Sequence, residues 1–211
     1  MRGVLAMVVL GLALAGCAKV PGIYVYESAA AGQQASGEFD AVSYVDGIWA
    51  SQVLPTVQDK AVDAATLLPA VKSDPAGAGA QYGRQAGTGS PYAYLIKGTG
   101  TVTAIDTSKP SGPVTVAVDT PQGTQEITLV TGPVIAGTAL RDAVGIDFST
   151  FTNQLDYADV ATQLNDRVKR EVIAPLNRDS LTGKKITFAG AFAALSPTTV
   201  NVIPTSIEVA P

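Results

Sequence analysis

The chain has 211 residues, a net charge of −4, no histidine and a single cysteine, Cys17. Without histidine, a Ser-His-Asp triad, a Cys-His pair and a histidine-ligated zinc site are excluded. One cysteine cannot form an internal disulfide, and the acidic balance leaves no basic stripe for phosphates. We therefore expect no enzymatic activity, no metal, no cofactor and no nucleic-acid partner.

The chain begins with a short apolar run that follows Arg2 and ends in Leu14-Ala15-Gly16-Cys17. A basic start, about a dozen apolar residues and small residues before the cleavage point are typical of a secretory signal. The run is shorter than the roughly 20 residues that span a bilayer. Its ending is the lipobox of bacterial lipoproteins. Residues 1–16 are thus predicted to be a lipoprotein signal peptide, and the Cys17 sulfur is predicted to carry the diacylglycerol.

The predicted location is the periplasmic face of the cell envelope, with the membrane as a partner through the lipid. Ala18 follows the cysteine. An aspartate there would favour retention at the inner membrane, so the outer membrane is favoured. Residues 17–39 are rich in Ala, Gly, Gln and Ser and are predicted to form a lipidated tether.

A helical pattern follows the tether. From Asp40 onward, apolar residues recur at steps of three and four, which predicts one helix over residues 40–73 with Asp40 as its N-cap. Pro55 is expected to kink it. The apolar face should pack on the following domain through Val45, Trp49 and Val53.

Residues 74–211 are predicted to form an OB-like barrel domain. The Gly- and Ala-rich stretch 74–90 indicates a long loop. The pattern then becomes that of strands, at residues 92–106, 114–119, 126–131, 184–195 and 200–210. A short helix at 139–143, capped by Thr138, and a longer one at 156–176 separate the third strand from the fourth.

This order of elements predicts the fold. Three meandering strands, a helix and a closing hairpin are the order of an OB-type barrel. The predicted class is therefore α+β, an OB-like five-stranded β-barrel with an inserted helix and an N-terminal helical extension. No parallel strand pair is expected. An open α+β sheet is the alternative.

Polar residues near the helix starts are candidates for a ligand site. Arg supplies planar, bidentate recognition of carboxylates, and amides beside an aromatic ring and a carboxylate suit a sugar or a peptide. The same residues also suit a local ion pair and helix capping. Two further residues in the predicted loop are candidate lid contacts. The candidate set is Arg141, Asp142, Asn153, Gln154, Tyr157 and Asp159, with Tyr82 and Arg84 as the lid contact.

Several longer motifs together resemble one family. They are Tyr44-Val45-Asp46-Gly47-Ile48-Trp49, Tyr82-Gly83-Arg84, Gly98-Thr99-Gly100-Thr101-Val102, Thr131-Gly132-Pro133-Val134-Ile135-Ala136-Gly137-Thr138-Ala139-Leu140-Arg141-Asp142, Tyr157-Ala158-Asp159-Val160 and Gly183-Lys184-Lys185-Ile186-Thr187-Phe188. On these motifs, nearly the whole mature chain is similar to the DUF2291 family of uncharacterised predicted periplasmic lipoproteins. The family has no assigned activity, and its members tend to be encoded near ABC-type sugar uptake systems. The resemblance implies a link to import, with ABC transporter components or a small sugar as partners.

These observations predict a lipid-anchored periplasmic binding or accessory protein, which the resemblance associates with ABC-type sugar uptake. The alternative is a structural or adaptor envelope lipoprotein with no small-molecule ligand. A third hypothesis is an acid–base enzyme that uses Asp156 or Asp159. It requires one of these carboxylates to lie in a cleft with a raised pKa.

Overall fold

The computed structural model describes residues 39–196 and 199–210. The predicted signal peptide, the lipid site at Cys17 and nearly all of the tether lie outside these residues and stay predictions. The described residues from Asp40 onward belong to one compact unit. Among the described residues, no helix combines the length and the apolar character needed to cross a membrane.

The N-terminal helical region begins at α1 (Ala41–Ile48). Asp40 caps α1 as predicted, because its carboxylate accepts a hydrogen bond from the Val42 amide at 2.9 Å. A π-helical turn at Trp49–Val53 links α1 to α2 (Leu54–Lys60). Pro55 lies where the π-helical turn passes into α2, and its ring nitrogen has no N–H to donate to the preceding turn. The predicted irregularity near Pro55 is thus a π-helical turn.

The prediction of one helix over residues 40–73 is wrong. After α2 the chain extends as β1 (Val62–Asp63) and then forms α3 (Ala64–Ser73). The Asp63 carboxylate caps α3 by accepting the Ala65 amide at 2.8 Å. The apolar steps of three and four continue across the break because both sides bury apolar residues. The helical spacing of the apolar residues therefore gives no sign of the two-residue strand β1.

The predicted packing of the first helix needs a correction. Val45, Trp49 and Val53 are buried, but α1 packs mainly on the helix at Gln154–Val168 rather than on the strands. The residues of this region that join the core of the strands lie on α3, namely Ala64, Leu67, Leu68 and Val71.

The prediction of a loop over residues 74–90 is also wrong for the first half of this stretch. It forms α4 (Pro75–Tyr82) and β2 (Gly83–Arg84). Asp74 caps α4 by accepting the Gly77 amide at 3.0 Å, and Pro75 takes the first helical position. A Cβ on Gly79 would lie 2.3 Å from the Tyr92 ring, so the small residues here serve close packing.

Five longer strands follow, as predicted. They are β3 (Ala93–Ile105), β4 (Pro113–Thr120), β5 (Gly123–Val130), β6 (Lys185–Ala193) and β7 (Asn201–Val209). Their pairings form a ring in the order β3-β4-β5-β7-β6, with β6 returning to β3. The two short strands β1 and β2 pair with β3 outside this ring.

The ring contains one parallel pair, so the expectation of no parallel pairs is wrong. β5 and β7 run in the same direction, with Thr128 opposite Asn201 and Leu129 opposite Val202. The reason is geometric. A closed ring with an odd number of strands cannot alternate direction at every pair. β1 and β3 are also parallel.

Two helices connect β5 to β6. α5 (Ala139–Val144) ends at Gly145, whose φ of 83° is left-handed, and α6 (Gln154–Val168) continues into a π-helical turn at Lys169–Ile173. The predicted helices at 139–143 and 156–176 are thus present with shifted ends. α5 lies against β3 and β6, and α6 lies against α1, α5 and β7.

We predict that Gly190→Ala destabilises the fold by about 1–3 kcal/mol, the usual cost of overpacking. Gly190 is buried in β6, and a Cβ there would lie 2.2 Å from the Ile203 carbonyl oxygen of β7. The two strand backbones would have to separate. Urea unfolding followed by circular dichroism measures the loss.

Gly47→Ala is the matched control. Gly47 lies on the exposed side of α1, and no atom lies within 4 Å of an added Cβ. Removing a mid-helix glycine there should stabilise the protein by up to about 1 kcal/mol. A Gly190→Ala variant as stable as the parent would contradict the close approach of β6 and β7.

Candidate functional site

A cavity of about 360 Å³ opens beside α5. Small-molecule sites usually occupy roughly 300–1,000 Å³. Its walls come from the chain before β3, from the segment around the start of α5, and from the ends of β5, β6 and β7. The lining residues are Ala86, Ser90, Pro91, Val130, Ala136, Gly137, Thr138, Ala139, Arg141, Asp142, Ala193, Leu195, Thr199, Asn201 and Ile203.

Arg141 and Asp142 form an ion pair in the cavity wall. Their side chains are only 7% and 13% exposed. Arg141 Nε and Nη2 donate to Asp142 Oδ1 at 2.9 and 2.7 Å, and Nη1 donates to the Tyr157 carbonyl oxygen at 3.0 Å. Three of the five N–H groups of the guanidinium take part in these bonds. The pair places a buried cation and a buried anion side by side, with no net charge.

Tyr157 of α6 supports this pair. The Arg141 guanidinium lies 3.5 Å from the centroid of its ring, a cation–π contact. Tyr157 Oη donates to the Ile146 carbonyl oxygen at 3.1 Å. Burial raises the pKa of the Tyr157 phenol, while the positive charge of Arg141 acts in the opposite direction. The ring thus holds the guanidinium of α5 against α6.

Thr138 acts differently from the prediction. It stands at the N-cap position of α5, but its side chain makes no capping bond to the helix backbone. Its hydroxyl donates to Asp142 Oδ2 at 2.6 Å. Both carboxylate oxygens of Asp142 therefore accept hydrogen bonds, and Thr138 itself lines the cavity.

The candidates at the start of α6 do not line the cavity. Asn153 caps α6 by accepting the Asp156 amide at 2.9 Å, and its Nδ2 donates to Asp156 Oδ2 at 2.9 Å. Gln154 and Asp159 are exposed. Of the candidates in this segment, the structure brings only Tyr157 next to Arg141 and Asp142. Asn153 is therefore a helix cap, as the capping interpretation predicts.

Tyr82 and Arg84 lie on α4 and β2, so their predicted placement in a mobile loop is wrong. Neither lines the cavity. Arg84 Nη2 contacts Asp147 Oδ2 at 2.9 Å, and both side chains are about half exposed. The guanidinium lies over Gly145, where an added Cβ would be 2.8 Å from Arg84 Cζ. Arg84 therefore ties β2 to the end of α5, and sequence reasoning missed its partner.

The polar residues that sequence reasoning missed are Ser90, Thr199 and Asn201. All three line the cavity and stand just before a strand or at its first residue. Their position at strand ends was the available signal, because loops between OB strands carry binding residues. The part of the chain that the structure describes contains no group of three metal-ligating side chains.

The fold and this cavity define an α+β protein of the OB-fold type. The fold is similar to that of a solved OB-fold protein from Thermotoga maritima, with a TM-score of 0.67 and 22% identity. The match covers 82% of this chain and 99% of that chain. No curated protein has a significantly similar sequence.

The chain belongs to the DUF2291 family, described as predicted periplasmic lipoproteins, whose family profile matches residues 7–208. The resemblance drawn from the sequence motifs is thereby confirmed. Membership supports a lipid-anchored location in the periplasm.

We predict that Arg141→Ala destabilises the protein by about 3–5 kcal/mol, because the Asp142 carboxylate stays buried without its cation. The double variant Arg141→Met, Asp142→Leu should be closer to the parent, since it leaves no buried charge. Urea unfolding measures these losses, and urea unfolding of Arg141→Met, of Asp142→Leu and of the double variant gives the coupling energy.

Arg84→Ala is the control for this cycle. It removes a half-exposed pair with Asp147 and should cost no more than about 1 kcal/mol. Equal losses for Arg84→Ala and Arg141→Ala would argue against a structural role for the buried pair.

Proposed function

We propose that this protein is a non-enzymatic binding or accessory lipoprotein whose cavity takes a small, uncharged, hydroxyl-rich ligand such as a sugar or polyol. One observation carries the proposal. Arg141 and Asp142 are the only charged side chains among the described residues that line the cavity, and they neutralise each other. An anionic or cationic ligand would have to displace one member of a buried pair.

A hydroxyl group suits this wall because it donates and accepts hydrogen bonds. It can donate to the Asp142 carboxylate and accept from the remaining N–H groups of Arg141. Ser90, Thr199 and Asn201 add two hydroxyls and an amide around the same space. A few placed polar groups in an otherwise apolar wall are typical of small-molecule sites.

The arrangement favours binding over acid–base chemistry. Neither Asp156 nor Asp159 lines the cavity. The Asp156 carboxylate accepts a hydrogen bond from the Asn153 side-chain amide, the Asp156 N–H donates to Asn153 Oδ1, and Asp159 is exposed. The chain has no histidine, and lipidation at Cys17 would remove the only thiol.

The proposal includes three finer points. The ring of five strands would be a closed OB-type barrel that binds its ligand at the rim, as OB folds do. The protein would be held on the outer membrane by its lipid, and it would assist an ABC-type sugar importer. The closed pairings of β3 to β7 support the barrel. Ala18 after the lipid cysteine supports the outer membrane, and the importer is what the resemblance to the family implies.

The alternative is an envelope adaptor with no small ligand. Its support is that two leucines are very exposed, Leu155 at 77% and Leu195 at 79%. A protein partner that covered either side chain would remove apolar surface from water.

A thermal-shift screen of pentoses, hexoses and polyols tests the proposal. A ligand that binds only the native state raises the melting temperature. Thr199→Tyr should abolish the shift, because Thr199 is exposed and lines the cavity, so a large ring there fills space without breaking the buried pair.

Gln122→Tyr is the matched control, since Gln122 is exposed in the turn between β4 and β5, outside the cavity lining, and should keep the shift. No shift with any compound, together with capture of an envelope protein, would favour the adaptor.

The anchor is tested separately. Cys17→Ser should release the protein from the membrane into the soluble periplasmic fraction, because the lipid chains supply the attachment. Ala18→Asp should keep the protein on a membrane but move it towards the inner one. Density-gradient fractionation with immunoblotting measures both. Unchanged membrane association of the Cys17→Ser protein would contradict the proposed lipid anchor.

A further inference from the structure

A second cavity adjoins the one beside the ion pair. It measures about 420 Å³ and shares three lining residues with the first cavity, namely Val130, Ala136 and Asn201. Val130 ends β5 and Asn201 begins β7, at the point where these two strands pair in parallel. The second cavity therefore continues from the first across this strand pair.

The two cavities also reach different loops. The first is lined by Leu195 and Thr199, from the connection between β6 and β7. The second is lined by Lys109 and Ser111, from the connection between β3 and β4. We call these two adjoining cavities the groove. It reaches from one connection to the other, and Asn201 lines both of its halves.

We propose that this groove binds an extended, uncharged oligosaccharide, with one sugar unit beside Arg141 and Asp142 and the next beyond Asn201. The inference rests on the proposed function and adds that the ligand is longer than one sugar unit. A single sugar would fill one cavity and leave the other empty.

The chemistry of the second cavity fits such a chain. Its uncharged polar groups are the hydroxyls of Ser111 and Thr128 and the amide of Asn201. Its one charged side chain, Lys109, is already paired with Asp106 at 3.1 Å. Neither half of the groove therefore favours a charged ligand.

Apolar side chains line each half of the groove. Leu195 is 79% exposed at the first cavity, and Val134 is 52% exposed at the second. A pyranose ring carries C–H groups on its faces and hydroxyls around its edge. Its faces can cover such side chains while its edge bonds to polar groups, which removes apolar surface from water.

Titration calorimetry with matched probes tests the length of the ligand. The probes are xylose and xylotriose, glucose and maltotriose, and cellotriose, together with a blocked tripeptide. At least one trisaccharide should bind tenfold or more tightly than its own monosaccharide. Thr128→Tyr, which fills the second cavity, should bring that ratio close to one.

Thr124→Tyr is the matched control. Thr124 lies on the same strand, four residues before Thr128, and lines neither cavity. It should keep the parental ratio. Ser111→Tyr fills the same cavity from a loop and replaces Thr128→Tyr if circular dichroism shows that the strand variant does not fold.

The outcomes separate the two proposals. Equal affinity for a trisaccharide and its monosaccharide would overturn the extended groove and leave the single-cavity proposal standing. No binding of any saccharide would overturn both. Tighter binding of the blocked tripeptide than of every trisaccharide would assign the groove to peptides and overturn the inference.

Discussion

The structure depends on β3, the strand that pairs with both β4 and β6 and also with the short strands β1 and β2. β3 pairs with β6 from Ala93 to Thr101 and with β4 from Thr101 to Ile105, with a shift in register between Val102 and Ala104. Two glycines allow the close contacts around this strand. A Cβ on Gly98 would lie 2.8 Å from the Ala64 Cβ, and one on Gly100 would lie 2.6 Å from the Ala117 carbonyl oxygen. Side chains at these positions would push away α3 and β4, and the ring would open.

The closure of the ring determines where the groove lies. Five strands in a closed ring require at least one parallel pair, and here that pair is β5 with β7. β5 and β6 are not neighbours in the ring, because β7 lies between them, so no tight hairpin can join them and the long connection between them contains α5 and α6. α5 carries Arg141 and Asp142 to the end of the ring, beside Asn201. The topology thus brings together residues that are some 60 positions apart in the sequence, because each stands where a strand or connection reaches the rim.

Local patterns predicted the strands well and the connections poorly. In β4, Val114, Val116 and Val118 alternate with more exposed residues, so the strand follows from the sequence alone. The break at Val62–Asp63 was missed because helical spacing continues through it. The helix after Asp74 was missed because Ala and Gly suggest flexibility, although Asp74 and Pro75 were a cap and a first-turn signal. The pair at Arg141 and Asp142 was predicted because it is local. Asn201 and Thr199 were missed because only ring closure brings them to the cavity.

The buried ion pair of Arg141 and Asp142 contributes both to the stability of the fold and to the proposed binding site. Tyr157 holds the Arg141 guanidinium from α6, and Thr138 holds the second oxygen of Asp142 from the start of α5. These contacts are made within the protein itself, by side chains at α5 and α6, so the polar wall of the cavity is fixed by folding. Ordering side chains on binding usually weakens affinity. A wall that is already ordered avoids most of that loss, and the shape of the groove can then determine which uncharged ligand binds.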